Sequence, residues 1–204
     1  MSDAIADLPA GKREATKAAN RAAIVEAARA VFADIGYGAA SVRDVIRRTG
    51  LATGTFYNYF PDKESLLREI FEGIADEARA RVQAARQGAT TIESFVADGY
   101  RAYYAFLIED PETFQLLRRN AGTIRVLYDQ PALGSGTAEL QADLDTAVAA
   151  GLLPAHDTEL MAAAMVGAGI EVGVQMLDRE EYDVEAAVQF VTALFVAGFQ
   201  RLAT

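Results

Sequence analysis

From Ser41 to Phe60 the chain reads Ser41-Val42-Arg43-Asp44-Val45-Ile46-Arg47-Arg48-Thr49-Gly50-Leu51-Ala52-Thr53-Gly54-Thr55-Phe56-Tyr57-Asn58-Tyr59-Phe60, two short amphipathic stretches hinged at a glycine. Ser41 is placed to cap a helix that turns Val42, Val45 and Ile46 inward and stops at Gly50. Thr53 caps a second, very short helix running to Phe60, and Pro61-Asp62 ends it and opens the next one. This is the helix-turn-helix arrangement, in which the second helix enters the major groove of a duplex. Val42, Val45, Ile46, Leu51, Phe56 and Phe60 supply a core, leaving Thr53, Gly54, Thr55, Tyr57, Asn58 and Tyr59 for the surface.

The remaining sequence is helical by the same reasoning. Thr16 to Ile35 repeats Ile24, Ala28, Val31, Phe32 and Ile35 on one face before Gly36. Leu67, Ile70, Phe71, Ile74, Ala78 and Val82 keep one register through a long linking helix over 62–87. Further helices are predicted over Ile92–Ile108, Glu112–Asn120 with an extension to Tyr128, Thr137–Ala150, a stretch capped by Asp157 and ending at Leu177, and one from Tyr182 or Asp183 to Leu202. Gln130 to Gly136 reads as a loop. The fold class is all-α, about nine helices in total: an N-terminal three-helix helix-turn-helix domain followed by a C-terminal helical bundle. The expected divisions are a disordered arm over 1–12, the helix-turn-helix domain over 13–63, and a helical-bundle domain over 64–204.

A net charge of −10 over 204 residues argues against nucleic-acid binding until it is divided along the chain. Residues 1–68 hold ten lysines and arginines against eight acids, a surplus of two positive charges, whereas the rest holds nine against 21. Contacts to phosphates are local, and salt confines repulsion from the acidic body to about 10 Å. The absence of cysteine removes disulfides, thiolate metal sites and thiol nucleophiles together. The lone His156, in a connecting loop and predicted to lie at the surface, has no partner for a metal site, and no Glu-x-x-His pair is present. No cofactor, no metal and no catalytic role are expected. Met1 to Ala19 lacks a secretory pattern, which points to the cytoplasm. Leu160 to Leu177 is eighteen residues with one charge, but Glu171 past its middle favours a helix buried in protein over one in a membrane.

The segment Gly50-Leu51-Ala52-Thr53-Gly54-Thr55-Phe56-Tyr57-Asn58-Tyr59-Phe60-Pro61-Asp62-Lys63-Glu64-Ser65-Leu66-Leu67 resembles the signature of the TetR family of repressors, and the likeness extends back through Phe32 to Gly36 and Ser41-Val42-Arg43. The family usually has histidine where Tyr59 stands. Tyr57 and Tyr59 hydroxyls, the Lys63 ammonium and the amides at the helix starts, Ser41 included, are suited to phosphates and would fix register. Thr53, Thr55, and Asn58 or Arg43 are short or forked groups able to reach base edges, with Gly54 permitting close approach. The resemblance implies that the helix from Thr53 is the recognition helix.

One recognition helix buries little area, so a two-fold partner and a palindromic or pseudo-palindromic operator are expected. The last two helices are the surface for it, with Val166, Gly167, Ile170 and Val174 on one and Val191, Leu194, Phe195 and Phe199 on the other. The resemblance implies a four-helix interface made from them and their mates. It also implies a small-molecule inducer, and the aromatic-rich stretch is the place for it: Phe95, Tyr100, Tyr103, Tyr104 and Phe114, with Leu117, Met161 and Met165 facing them. Arg101, Glu171 and Gln175 are candidate polar anchors. The expected function is a sequence-specific repressor released by an apolar or amphipathic inducer. The alternative is a helical-bundle scaffold or enzyme of the same fold without DNA binding.

Overall fold

The computed structural model describes residues 10–123, 135–179, 181 and 183–202. Its elements are α1 (Ala10–Ile35), α2 (Val42–Thr49), a 3-10 helix (Thr53–Asn58), α3 (Lys63–Arg86), α4 (Ile92–Glu109), α5 (Pro111–Arg119), α6 (Ser135–Ala149), α7 (Thr158–Leu177) and α8 (Val184–Leu202). The all-α class holds, and no strand occurs among the described residues. The chain divides into two compact units, Met1–Ile70 and Phe71–Thr204, the division falling inside α3 rather than at its start.

In the first unit, α1 presents Ile24, Ala28, Val31 and Phe32 to Val45 and Ile46 of α2, Phe56 and Phe60 around the 3-10 helix, and Leu66, Leu67 and Ile70 of α3, all buried. Burying each large apolar side chain contributes roughly 1.5–3 kcal/mol. Helix α1 stops where Gly36 takes a φ of 80°, with its N–H donating to Phe32 O at 3.1 Å. Two expectations need correction. Helix α1 starts at Ala10, so 10–12 are not a disordered arm, while 1–9 lie outside the described residues. Ile35, placed on the inward face by spacing, is exposed because the register ends one residue before the glycine.

In the second unit α4 is the central helix, burying Phe95, Val96, Gly99, Tyr100, Tyr104, Phe106 and Leu107. Thr91 and Ser94 close a capping box at its start. Its end passes directly into α5, because Asp110 caps that helix through Thr113 N at 2.9 Å and Pro111 fills the first position, where no N–H is needed. Helix α7 lies against α4 closely because two positions lack side chains. A Cβ on Gly169 would come within 3.0 Å of Tyr100 Cε1, and one on Gly173 within 3.0 Å of Leu107 Cδ1. As expected, Asp157 caps α7, accepting from Leu160 N at 3.0 Å.

Ser135 and Gly136 are already helical, so that end of the expected loop is shorter. Of the predicted extension to Tyr128, residues 121–123 are helical and 124–128 lie outside the described residues, as do the rest of the loop and Tyr182; α8 opens after Asp183, whose carboxylate accepts from Ala186 N at 3.0 Å. The larger correction concerns α7. Within one chain it buries a single face, formed by Ala162, Met165, Gly169, Gly173, Met176 and Leu177, and Leu160 remains 68% exposed. It is long and apolar enough to cross a membrane by length and composition. Glu171 and Gln175, however, lie on its exposed side.

Candidate functional site

The helix-turn-helix is locked by its own polar side chains. The Ser41 hydroxyl accepts from Asp44 N at 3.2 Å while the Asp44 carboxylate accepts from Ser41 N at 2.9 Å, a reciprocal cap on α2. The Ser41 hydroxyl, donating to the Asp44 carboxylate at 2.5 Å, and then the Ser41 N–H hold the Asp44 carboxyl below its ordinary range. At the other end Gly50 adopts a φ of 70°, a left-handed conformation that lets α2 stop and the chain turn. Thr49 bridges the turn, donating to Ile46 O at 2.9 Å and accepting from Leu51 N at 3.1 Å. The second helix is wound as a 3-10 helix with Ala52, not Thr53, at its N-cap and no side-chain cap. Thr55 N donates instead to Ala52 O at 2.8 Å, the three-residue closure typical of that winding.

This places the predicted contact residues unequally. Thr53, Gly54 and Asn58 are exposed, and Tyr57 is 60% exposed. Arg43 is exposed on α2. Thr55 and Tyr59 are half-buried, because tighter winding brings them towards the face that carries the fully buried Phe56. Ser41 spends its hydroxyl on the cap. Lys63 has a structural task that spacing did not reveal. Its Nζ donates to Tyr37 O at 2.6 Å and Ala40 O at 2.7 Å and lies 4.1 Å from the Tyr37 ring centroid, tying α3 to the loop before α2. Partial burial pushes its pKa down. Arg21 braces the same unit, pairing with Glu69 and lying over the Phe60 ring at 5.0 Å.

The second unit holds a partly open cavity of about 190 Å³ between α3, α4, α6 and α7, with Leu117 of α5 reaching it. Of the expected lining, Tyr100, Tyr103, Leu117 and Met165 are there. Phe95, Tyr104, Phe114 and Met161 are not; Phe95 and Tyr104 are core residues, and Tyr104 is fully buried. Arg101, expected as an anchor, is exposed and paired with Asp98 and Glu185, and Glu171 and Gln175 lie on the outer side of α7. The polar groups that do border the cavity include Arg86, Asp143, Arg79 and Glu139.

Arg86 has a side chain only 10% exposed, its Nε has no hydrogen-bond partner among the described residues, and its ion pair with Asp143 is 3.8 Å long. Burial lowers its pKa, the Asp143 charge opposing that, and burial raises the pKa of Asp143. Tyr100 donates to Met165 O at 2.8 Å, and burial pushes its phenol pKa well up. Sequence spacing carried a signal for both charges. Ile74, Ala78 and Val82 step by four to Arg86, and Leu140, Leu144 and Ala147 frame Asp143 on one face, so each charge occupies an inward position.

The expected interface residues also divide. Val191, Phe195 and Phe199 are buried in the chain's own core, because α8 turns them towards α4 and α7, and Val166 and Ile170 border the cavity. Gly167 is exposed, Val174 half-exposed and Leu194 55% exposed. The exposed apolar surface instead runs through Leu160, Ala164 and Gly167 on α7 and through Phe190, Leu194 and Ala197 on α8, with Phe190 63% exposed. His156, expected at the surface, packs edge-on against Phe199 at 5.2 Å, its Nδ1 2.7 Å from Pro154 O.

Residues 24–70 match the tetR family of bacterial regulatory proteins. Over 148 residues the chain is 31% identical to the HTH-type transcriptional repressor AcnR of Corynebacterium efficiens, covering 72% of this chain and 68% of that protein. In three dimensions it is similar to the fatty acid degradation regulator FadR from Bacillus halodurans, with a TM-score of 0.72, 24% identity, and coverage of 88% of this chain and 95% of that one. It is also similar to the transcriptional regulator FadR from Bacillus subtilis in complex with stearoyl-CoA, with a TM-score of 0.70, 24% identity, and coverage of 86% and 97%. The matched segment holds the capped helix, the Gly50 turn and the 3-10 helix just described, and the match to AcnR continues well beyond it: the chain belongs to the TetR family of bacterial regulatory proteins.

Proposed function

We propose that this protein is a cytoplasmic, homodimeric transcriptional repressor that binds a palindromic or pseudo-palindromic duplex and is released when a small apolar or amphipathic compound enters the cavity of the second unit. The carrying observation is the exposed face Thr53, Gly54, Tyr57 and Asn58, held rigid by the capped α2, the Gly50 turn and buried Phe56. Thr53, Gly54 and Asn58 are short enough to meet base edges, with Thr55 beside them. Arg43 is a forked group for a base edge, the Tyr57 and Tyr59 hydroxyls are suited to phosphates, and the amides after Ser41 add donors at the start of α2. Lys63 retains a third N–H beyond its two carbonyl bonds.

The exposed stripes on α7 and α8 support the dimer. A second copy is the occupant that a two-fold duplex site requires. Lipid is disfavoured there, because an acid such as Glu171 at the middle of a bilayer costs roughly 2.5–3.5 kcal/mol. The complex of the Bacillus subtilis relative with stearoyl-CoA supports an amphipathic compound as the released signal.

Selection of duplexes from a random pool by the full chain tests this reading. Enrichment of a two-fold site with salt-dependent affinity is the expected outcome, and failure to enrich any sequence sinks it. Two variants then separate positioning from folding. Tyr57→Phe is expected to weaken binding while leaving the melting temperature unchanged. Lys63→Met is expected to lower the salt slope by about 1 and also to destabilise the protein by about 2 kcal/mol, since two carbonyls lose a charged donor.

A further inference from the structure

We propose that the cavity of the second unit takes a compact carboxylic acid, one carboxylate on a small apolar body, and that Arg86 is its anchor. This rests on reading the cavity as the ligand pocket. A guanidinium is costly to bury unless its donors are met, and Arg86 is nine-tenths buried, with Nε unpartnered and a single ion pair at 3.8 Å among the described residues. It is nonetheless held in place. Its Cζ lies 5.2 Å from the centroid of the Phe95 ring, and a Cβ on Gly99 would fall 2.6 Å from Nε, so the head occupies a gap that only glycine leaves. A planar, fixed fork with unmet N–H groups is matched by two oxygens in a plane, which a carboxylate provides.

The charge and the volume narrow the class further. Asp143 already neutralises Arg86, so an entering anion must take its place. Asp143 is able to yield, because its side chain is 28% exposed and turns to water more cheaply than Arg86 does. A single negative charge restores the balance around the guanidinium, whereas a dianion leaves an uncompensated charge in low dielectric. Arg79 is not available to offset it, being paired with Asp76 and Glu139. The rest of the wall is mostly apolar, with Ile74, Val82, Leu140 and Met165 in it, and Gln83, Tyr100 and Tyr103 bring its remaining polar groups. An apolar cavity of about 150 Å³ holds one benzene ring. The 190 Å³ here therefore suits an apolar body of roughly seven or eight heavy atoms.

Calorimetric titration of octanoate and octan-1-ol into the full chain tests the proposal, since the two share an apolar chain and differ in the head group. Octanoate is expected to bind at least about tenfold tighter. Arg86→Met, with folding checked by circular dichroism, is expected to remove that preference. Asp143→Asn takes away the competing carboxylate without touching the anchor, and is expected to tighten octanoate by about threefold or more while leaving octan-1-ol unchanged. Equal binding of acid and alcohol, no binding of octanoate at about 1 mM, or a preference that survives in Arg86→Met overturns the proposal. Should Arg86→Met fail to fold, weaker octanoate binding by Asp143→Asn overturns it instead. DNA release is scored separately. Octanoate that binds without releasing DNA leaves the anchor standing and counts against the repressor reading, whereas release by a compound indifferent to Arg86 does the reverse.

Discussion

A Phe56→Ala protein is expected to lose sequence-specific DNA binding while the unit from Phe71 onward stays folded. Phe56 has no exposed surface, and its ring lies 5.7 Å from that of Phe60 and edge-on to Tyr57 at 5.2 Å. Truncating a buried phenylalanine costs about 3–5 kcal/mol. Whole domains are stable by only about 5–15 kcal/mol, and short ones sit towards the bottom of that range. The 3-10 helix has no side-chain cap, so the Phe56 anchor is what keeps Thr53 to Asn58 in one conformation. Hydrogen exchange checks the result: amides of α2 and the 3-10 helix lose protection, and those of α4 and α8 keep it. Operator affinity within about threefold of the parent protein would show the anchor to be dispensable.

The second large effect is expected from Phe190→Glu combined with Leu194→Glu. Both side chains are more than half exposed on α8, so their replacement removes little buried contact within the chain. Folding of a single copy should survive. A charge at each position leaves unpaired acids against an apolar mate, and the assembly should dissociate. Loss of the second recognition helix then lowers operator affinity by about a thousandfold, towards the level of non-specific binding. Sedimentation at micromolar concentration reads the assembly, and anisotropy with a labelled operator reads the affinity. A variant that remains dimeric places the interface elsewhere.

The parts of the fold legible in the sequence were those fixed by local chemistry. Ser41 with Asp44, Gly50, Asp110 with Pro111, and Asp157 mark helix ends because their groups satisfy backbone donors or permit a left-handed turn within a few residues. The basic surplus of the first 68 residues was legible too, being a property of composition alone. What escaped depended on long-range packing. Phe195 and Phe199 have the same spacing as Phe190 and Leu194, and only the approach of α4 decides which pair is covered. Arg101 lies among aromatic residues yet turns outward to Glu185, eighty-four positions away in the chain. Lys63 meets carbonyls that the fold alone brings near. Arg86 and Asp143 are a different case. Each interrupts an apolar row at a position that helical spacing points inward, and a charge in such a place is a sequence-level mark of a site.

Leu160, Phe190 and Leu194 stay wet in a solitary chain, and the proposed dimer would dry them. Folding is then tied to mass action, and the thermal midpoint should climb as total protein concentration rises. On that reading a scarce chain would be easier to unfold than an abundant one, and copy number would bear on how long each one lasts.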